Sequence, residues 1–163
     1  MENAAIQQEP CVKRLVLTAA AIAAIVTTAA AQNRAPADLI RERQAHYKQM
    51  GGAMKGMYDQ LHSSAPSIDA IRQGSHVIVT FAPQLLRWFP HGTGPEAGVR
   101  TRALPEIWSD NQNFRRAGAT LLVAARGLDA AAQRGDMDAI RAAVPQVAHA
   151  CGNCHDTYRA PEH

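Results

Sequence analysis

The stretch ACGNCHDTYR, Ala150 to Arg159, sets two cysteines two residues apart, with a histidine directly behind the second. Positions three and four apart lie on one face of an α-helix. A helix here therefore projects Cys151, Cys154 and His155 to the same side. The residues before it supply that helix: Met137, Ile140, Val144, Val147, Ala148 and Cys151 recur at helical spacing. Asp136 suits its N-cap, and Gly135 suits the stop of the helix before. Pro145, inside the run, predicts a kink or a local irregularity.

Three more helical segments precede this one. A helix from about Pro105 to Arg134 offers Ile107, Trp108, Phe114, Leu121, Leu122, Ala125 and Leu128 to a core. Before it lies FPHGTGPEAGVRTRA, Phe89 to Ala103, with three glycines and two prolines, which reads as an irregular loop. A helix from about Ser67 to Trp88 carries the stripe Ile68, Ile71, Ser75, Ile78, Ala82, Leu85 and Phe89. Its β-branched run VIVT, Val77 to Thr80, is too short and isolated to pair as a strand. The first helix runs from Pro36 to Leu61 through Leu39, Arg43, His46/Tyr47, Met50, Met54 and Met57/Tyr58. Gly51-Gly52 interrupts it; paired glycines weaken a helix but permit a ring or another backbone to approach closely. The expected fold is all-α: an antiparallel up-down four-helix bundle over residues 32–163.

The remaining N-terminal residues read as a separate segment. Lys13 and Arg14 precede the apolar run LVLTAAAIAAIV, Leu15 to Val26, and Ala29-Ala30-Ala31 follow. That order is expected of a secretory signal peptide, residues 1–31, cleaved before Gln32. The run is short of the ~20 residues a membrane span requires, so no span is expected after cleavage. Cleavage would remove Cys11, along with two acidic and two basic residues, and the net charge would stay at +3. Basic residues are scattered, which argues against nucleic acid. Two remaining cysteines so close in sequence are not a disulfide framework.

In an exported helical protein the cluster has several readings. A structural zinc site wants a fourth donor at short spacing; His149 and His163 are nearby, but His149, two residues before Cys151, points elsewhere on the helix. A thioredoxin-like redox pair follows a strand and opens a helix, and this pair does neither. Two thiols and a histidine on one helical face suit covalently attached haem c: each thiol adds across a vinyl group, and His155 donates an imidazole nitrogen to the iron.

With CGNCHDTYR near the C-terminus, LPEIWSD (Leu104 to Asp110), RQAHY (Arg43 to Tyr47) and FPHGTG (Phe89 to Gly94), the chain resembles the class II c-type cytochromes, the cytochrome c′ family. The resemblance spans about Asp38 to Arg159. It implies Cys151 and Cys154 as thioether positions and His155 as the proximal ligand. It implies haem propionate contacts from Arg43 and Gln44, a basic residue near the proximal face at Arg159, and Thr101 and Arg102 at the haem edge. An Arg at a partly exposed haem edge can hold a carboxylate by two parallel hydrogen bonds.

Tyr47 decides the subtype within that resemblance. Low-spin members carry Met-Lys where this chain has Tyr47-Lys48. Neutral tyrosine is a poor ligand for ferrous iron, so a five-coordinate, high-spin centre is expected. Met50, Met54 and Met57 are the rival ligands, Met50 being nearest the face of Tyr47, and His46 is a lesser one; for the three methionines the plainer reading is core packing. The implied function is binding of small gases, nitric oxide or carbon monoxide, with single-electron exchange with periplasmic redox partners. The alternative is a six-coordinate low-spin carrier acting purely in electron transfer. No acid–base or nucleophile constellation points to a substrate-turnover enzyme. A homodimer through helices one and two is implied by the family.

Overall fold

The computed structural model describes residues 34–161. The expected signal segment, residues 1–31, and Cys11 lie outside the described residues. The residues from Pro36 onward form one compact unit of helices joined by loops. Its elements are α1 (Pro36–Leu61), α2 (Ile68–Phe81), a 3₁₀ segment (Ala82–Trp88), a second short one (Pro95–Ala97), α3 (Glu106–Ser109), α4 (Asn111–Arg134) and α5 (Met137–Tyr158).

Local chemistry explains the boundaries. Ser67 caps α2 by accepting the Ala70 N–H at 3.2 Å, and Asp136 caps α5 by accepting the Ala139 N–H at 3.0 Å. Gly135 sits at φ 69°, ψ 21°, where a β-carbon would be strained. Its N–H bonds Ala132 O and the Asp136 N–H bonds Ala131 O, which closes α4 by the two-bond glycine motif.

Two expected helices end sooner than their apolar patterns. The second stops as an α-helix at Phe81, because Pro83 has no N–H to give; the chain tightens into 3₁₀ geometry through Trp88. The third is broken at Asp110, whose φ −112°, ψ 44° is not helical, so the expected helix from Pro105 is α3 followed by α4. Helix α5 continues unbroken through the exposed Pro145.

The four long helices close a ring: α1 packs on α2, α2 on α4, α4 on α5, and α5 back on α1. The core holds Ile40, Met57, Ile71, Ile78, Phe114, Leu128, Ile140, Val144 and Val147, each at most 2% exposed. Such burial contributes about 1.5–3 kcal/mol for each large side chain. The buried Ser75 hydroxyl donates across to Oδ1 of Asp129 on α4, a residue that is only partly buried, at 2.9 Å.

Gly51-Gly52 permit a ring or another backbone to approach, but among the described residues nothing lies within 4 Å of the space a β-carbon would take at either position. At Gly74 that space is 2.7 Å from Met57 Cγ and 3.3 Å from the Ala53 carbonyl oxygen, so α1 and α2 meet on a glycine of α2.

Candidate haem-binding site

Cys151, Cys154 and His155 occupy the last two turns of α5, all half-buried. Both cysteines are free thiols packed against the core. Burial pushes both thiols above the ordinary range, Cys154 to about 11; its neighbour Cys151 adds to the rise and Arg159 opposes it. Redox-active cysteine pairs carry lowered pKa values. These thiols are protonated at neutral pH and lack that activation.

Burial pulls His155 down, and Arg159 and Arg102 pull in the same direction, while Asp156 opposes them. The imidazole is thus held neutral, with a lone pair to give. Neither of its ring nitrogens has a hydrogen-bond partner among the described residues.

These groups fit haem c better than the other readings. Among the described residues no three His, Cys, Asp or Glu side chains converge as donors to one metal ion. Thioethers and an iron ligand need no common point: the two sulfurs bond separate vinyl carbons and the imidazole reaches the metal. Two unpaired, core-facing thiols beside a neutral, unpartnered imidazole match that division of labour.

Tyr47, on α1, lies within electrostatic reach of both cysteines. Burial pushes its phenol far above the usual tyrosine range, Cys154 and Cys151 push the same way, and Arg43 opposes. The side chain packs edge-on to Trp88, ring centroids 5.4 Å apart, and Phe89 lies at 6.3 Å. Edge-to-face contacts continue from Phe89 to Phe114 (5.2 Å) and from Phe114 to Tyr158 (5.1 Å). His46 lies 4.8 Å from Phe81 and 4.7 Å from Trp88, ring centroid to ring centroid, and its Nδ1 is buried without a hydrogen-bond partner. Met50 and Met57 are core residues and Met54 packs against the core.

Arg43 is the residue the structure places most differently from a partly exposed edge cation. It is 3% exposed. Its Nη1 donates to Thr93 Oγ1 (2.9 Å) and, longer, to Trp88 O (3.4 Å). Its Nη2 donates to Thr93 O (2.7 Å) and Thr101 Oγ1 (2.8 Å). The guanidinium also stacks 4.6 Å from the Phe89 ring centroid. Gln44 Nε2 donates to Arg100 O at 3.0 Å. Arg43, Gln44 and Thr101 therefore come together, as partners in tying the loop after Phe89 to α1.

Thr93 was not recognisable in the sequence. It is 1% exposed, and its hydroxyl donates to Pro90 O (2.8 Å) while accepting from Arg43. No spacing rule marks a loop threonine fifty residues from its partner.

Arg159 is the C-cap of α5, with extended backbone and its N–H on His155 O. It pairs across an isolated antiparallel bridge with Ala103.

Comparisons with known proteins agree with this geometry. The family model for cytochrome c′ matches residues 38–159. Cytochrome c′ of Alcaligenes xylosoxydans xylosoxydans is 35% identical over 124 residues, which are 76% of this chain and 94% of that protein. A solved cytochrome c′ with ligand-controlled dimer dissociation aligns with TM-score 0.73 at 26% identity, over 79% of this chain and 99% of that one. The nitric oxide complex of a cytochrome c′ mutant from Alcaligenes xylosoxidans aligns with TM-score 0.72 at 30% identity, over 80% of this chain and 100% of that one. The chain belongs to the cytochrome c′ family and its cofactor is haem c.

Proposed function

We propose that this protein is an exported, periplasmic haem c protein that binds small diatomic gases, nitric oxide foremost, and exchanges single electrons with periplasmic partners. Cys151 and Cys154 hold the haem by thioethers, and His155 supplies the proximal nitrogen. Bound there, haem supplies an iron that changes oxidation state by one electron and offers a position for a diatomic ligand.

Tyr47 carries the reading. It is the polar side chain that α1 brings toward the two cysteines, and burial keeps its phenol neutral. A neutral phenol is a poor donor to ferrous iron. Tyr47 therefore shields the position and yields it to a small ligand. The neutral imidazole of His155 keeps a lone pair to give, and both cysteines pack against the apolar core. No acid, base or nucleophile beside these residues suggests turnover of a larger substrate. The nitric oxide complex of a related protein supports the choice of ligand. Residues 1–31 act as the export signal, and among the described residues no helix is long and apolar enough to cross a membrane. Two copies pair through α1 and α2.

Optical spectra of the oxidised and reduced protein test the reading. A high-spin reduced spectrum and binding of carbon monoxide and nitric oxide are expected. Tyr47→Ala should speed carbon monoxide binding, and Tyr47→Met should shift the spectrum toward low spin and slow it. A low-spin reduced spectrum abolished by Met50→Leu but not by Tyr47→Phe would replace gas binding with pure electron transfer.

A further inference from the structure

Tyr47 is walled by two rings from one short corner of the chain. The Trp88 ring meets it edge-on at 5.4 Å, and the Phe89 ring lies at 6.3 Å. The corner has left regular geometry, with Phe89 at φ −123°, ψ 56°. Side chains take its carbonyls instead. Trp108 Nε1 donates to Phe89 O at 3.0 Å, and Arg43 Nη1 donates to Trp88 O at 3.4 Å.

Arg43 stands one turn before Tyr47 on α1, so its guanidinium joins the corner to the helix that carries the tyrosine. Its shorter bonds go to Thr93, to the hydroxyl at 2.9 Å and to the carbonyl at 2.7 Å. The Thr93 hydroxyl in turn donates to Pro90 O at 2.8 Å. The Phe89 ring centroid lies 4.6 Å from the guanidinium carbon. Thr93 is 1% exposed, so solvent is not at hand to replace its hydroxyl when that is lost. These contacts form a closed circuit. It runs from Tyr47 to Arg43 along α1, from Arg43 to Thr93 and Trp88 by hydrogen bonds, and from Trp88 and Phe89 back to Tyr47 by ring contact. In a close-packed interior Tyr47 swings aside only when one of those rings gives way, and both rings sit on tied backbone.

We propose that Thr93 is a positioning residue for ligand entry: through Arg43 it holds the Trp88–Phe89 corner against Tyr47 and so limits how fast the tyrosine yields to a diatomic ligand. The proposal rests on the reading of Tyr47 as the group that covers the ligand position.

Stopped-flow mixing of the reduced, haem-loaded protein with carbon monoxide tests it. Thr93→Val keeps the side-chain shape and removes the hydroxyl. Association should rise about three- to tenfold, the rate equivalent of one lost hydrogen bond. Thr93→Ser restores the hydroxyl and should return the rate to within about twofold of the unmodified protein. In a Tyr47→Ala background, Thr93→Val should change the rate by less than about twofold, because the residue through which it acts is gone. A merely structural threonine would lower the thermal midpoint in both backgrounds and leave the rate alone. A second readout needs no gas. Nitration by tetranitromethane, located by mass spectrometry, should label Tyr47 faster in Thr93→Val than in the unmodified protein, with the exposed Tyr58 as internal standard. An unchanged association rate in Thr93→Val overturns the proposal, as does an equal rise in both backgrounds or equal protection of Tyr47 in the two proteins. If Thr93→Val does not fold, Thr101→Val decides, since it removes the acceptor of Arg43 Nη2 at 2.8 Å. A faster association that disappears with Tyr47→Ala then supports the proposal, and any other result overturns it. Failure of the unmodified protein to bind carbon monoxide would overturn the reading of Tyr47 itself, and is seen before any variant is made.

Discussion

The last two turns of α5, which carry the proposed haem attachment, and the loop from Phe89 to Leu104 are held in opposite ways. The turns of α5 stand on their own backbone ladder and on apolar neighbours: Ala150 and Tyr158 are buried and both cysteines lean on the core. The loop has a single three-residue 3₁₀ turn, Pro95–Ala97, and little regular hydrogen bonding. It is kept in place by side chains of another helix, above all by Arg43, and by backbone pairing of residues 102–104 with residues 158–160. A region coded locally tolerates the loss of one neighbour, whereas a region hung on a buried cation does not.

The largest effect expected in this contrast is chemical. Replacing both Cys151 and Cys154 by Ala should abolish covalent haem, and either single replacement should leave at most one thioether. Acid–acetone extraction checks this: haem should stay on the unmodified protein and leave the double variant entirely.

Next in size is the loop's anchor. Arg43→Ala removes donors to Thr93, Thr101 and Trp88 and leaves buried oxygens unpaired. A loss of about 3 kcal/mol is expected in denaturant unfolding. Protease cleavage should appear first within residues 89–104, with α5 intact. Uniform cleavage across the chain would erase the contrast between the two regions.

A pH experiment sharpens it from the α1 side. The folded protein holds the Tyr47 phenol above its ordinary pKa, by burial foremost, while the unfolded chain ionises near the usual value of about 10. Stability from this group is fully present below that value and falls as pH rises beyond it, because only the unfolded state readily gives up the proton. Tyr47→Phe should flatten the alkaline fall in thermal midpoint. An unaltered slope would show that the phenol is not buried as described.

The smallest effect is expected at the far end of the aromatic ladder. Tyr158→Phe keeps the packing on Phe114 and loses only the bond to Asp110, for about 1 kcal/mol. A loss of Arg43 size would mean that the end of α5 also hangs on one polar contact.

Sequence by itself determined the helices and the donor cluster. Spacings of three and four residues both bury a stripe and gather Cys151, Cys154 and His155 on one face, so a single periodicity discloses the fold and the site together. Capping chemistry at Gly135 and Asp136 is local and was equally legible. The early ends at Phe81 and Asp110 were less so, because an apolar stripe continues through 3₁₀ geometry and across a one-residue break. Only the tertiary structure decided what Arg43 does. An arginine in a helix looks the same whether it faces water or a threonine fifty residues away, and burial with fixed partners arises only when loop and helix meet. The same holds for Gly74, whose missing β-carbon matters because Met57 lies opposite it. It holds too for the backbone bridge between Ala103 and Arg159, which joins segments 56 residues apart. Periodicity reports which face of an element is buried; it carries no information about which distant group will lie against that face.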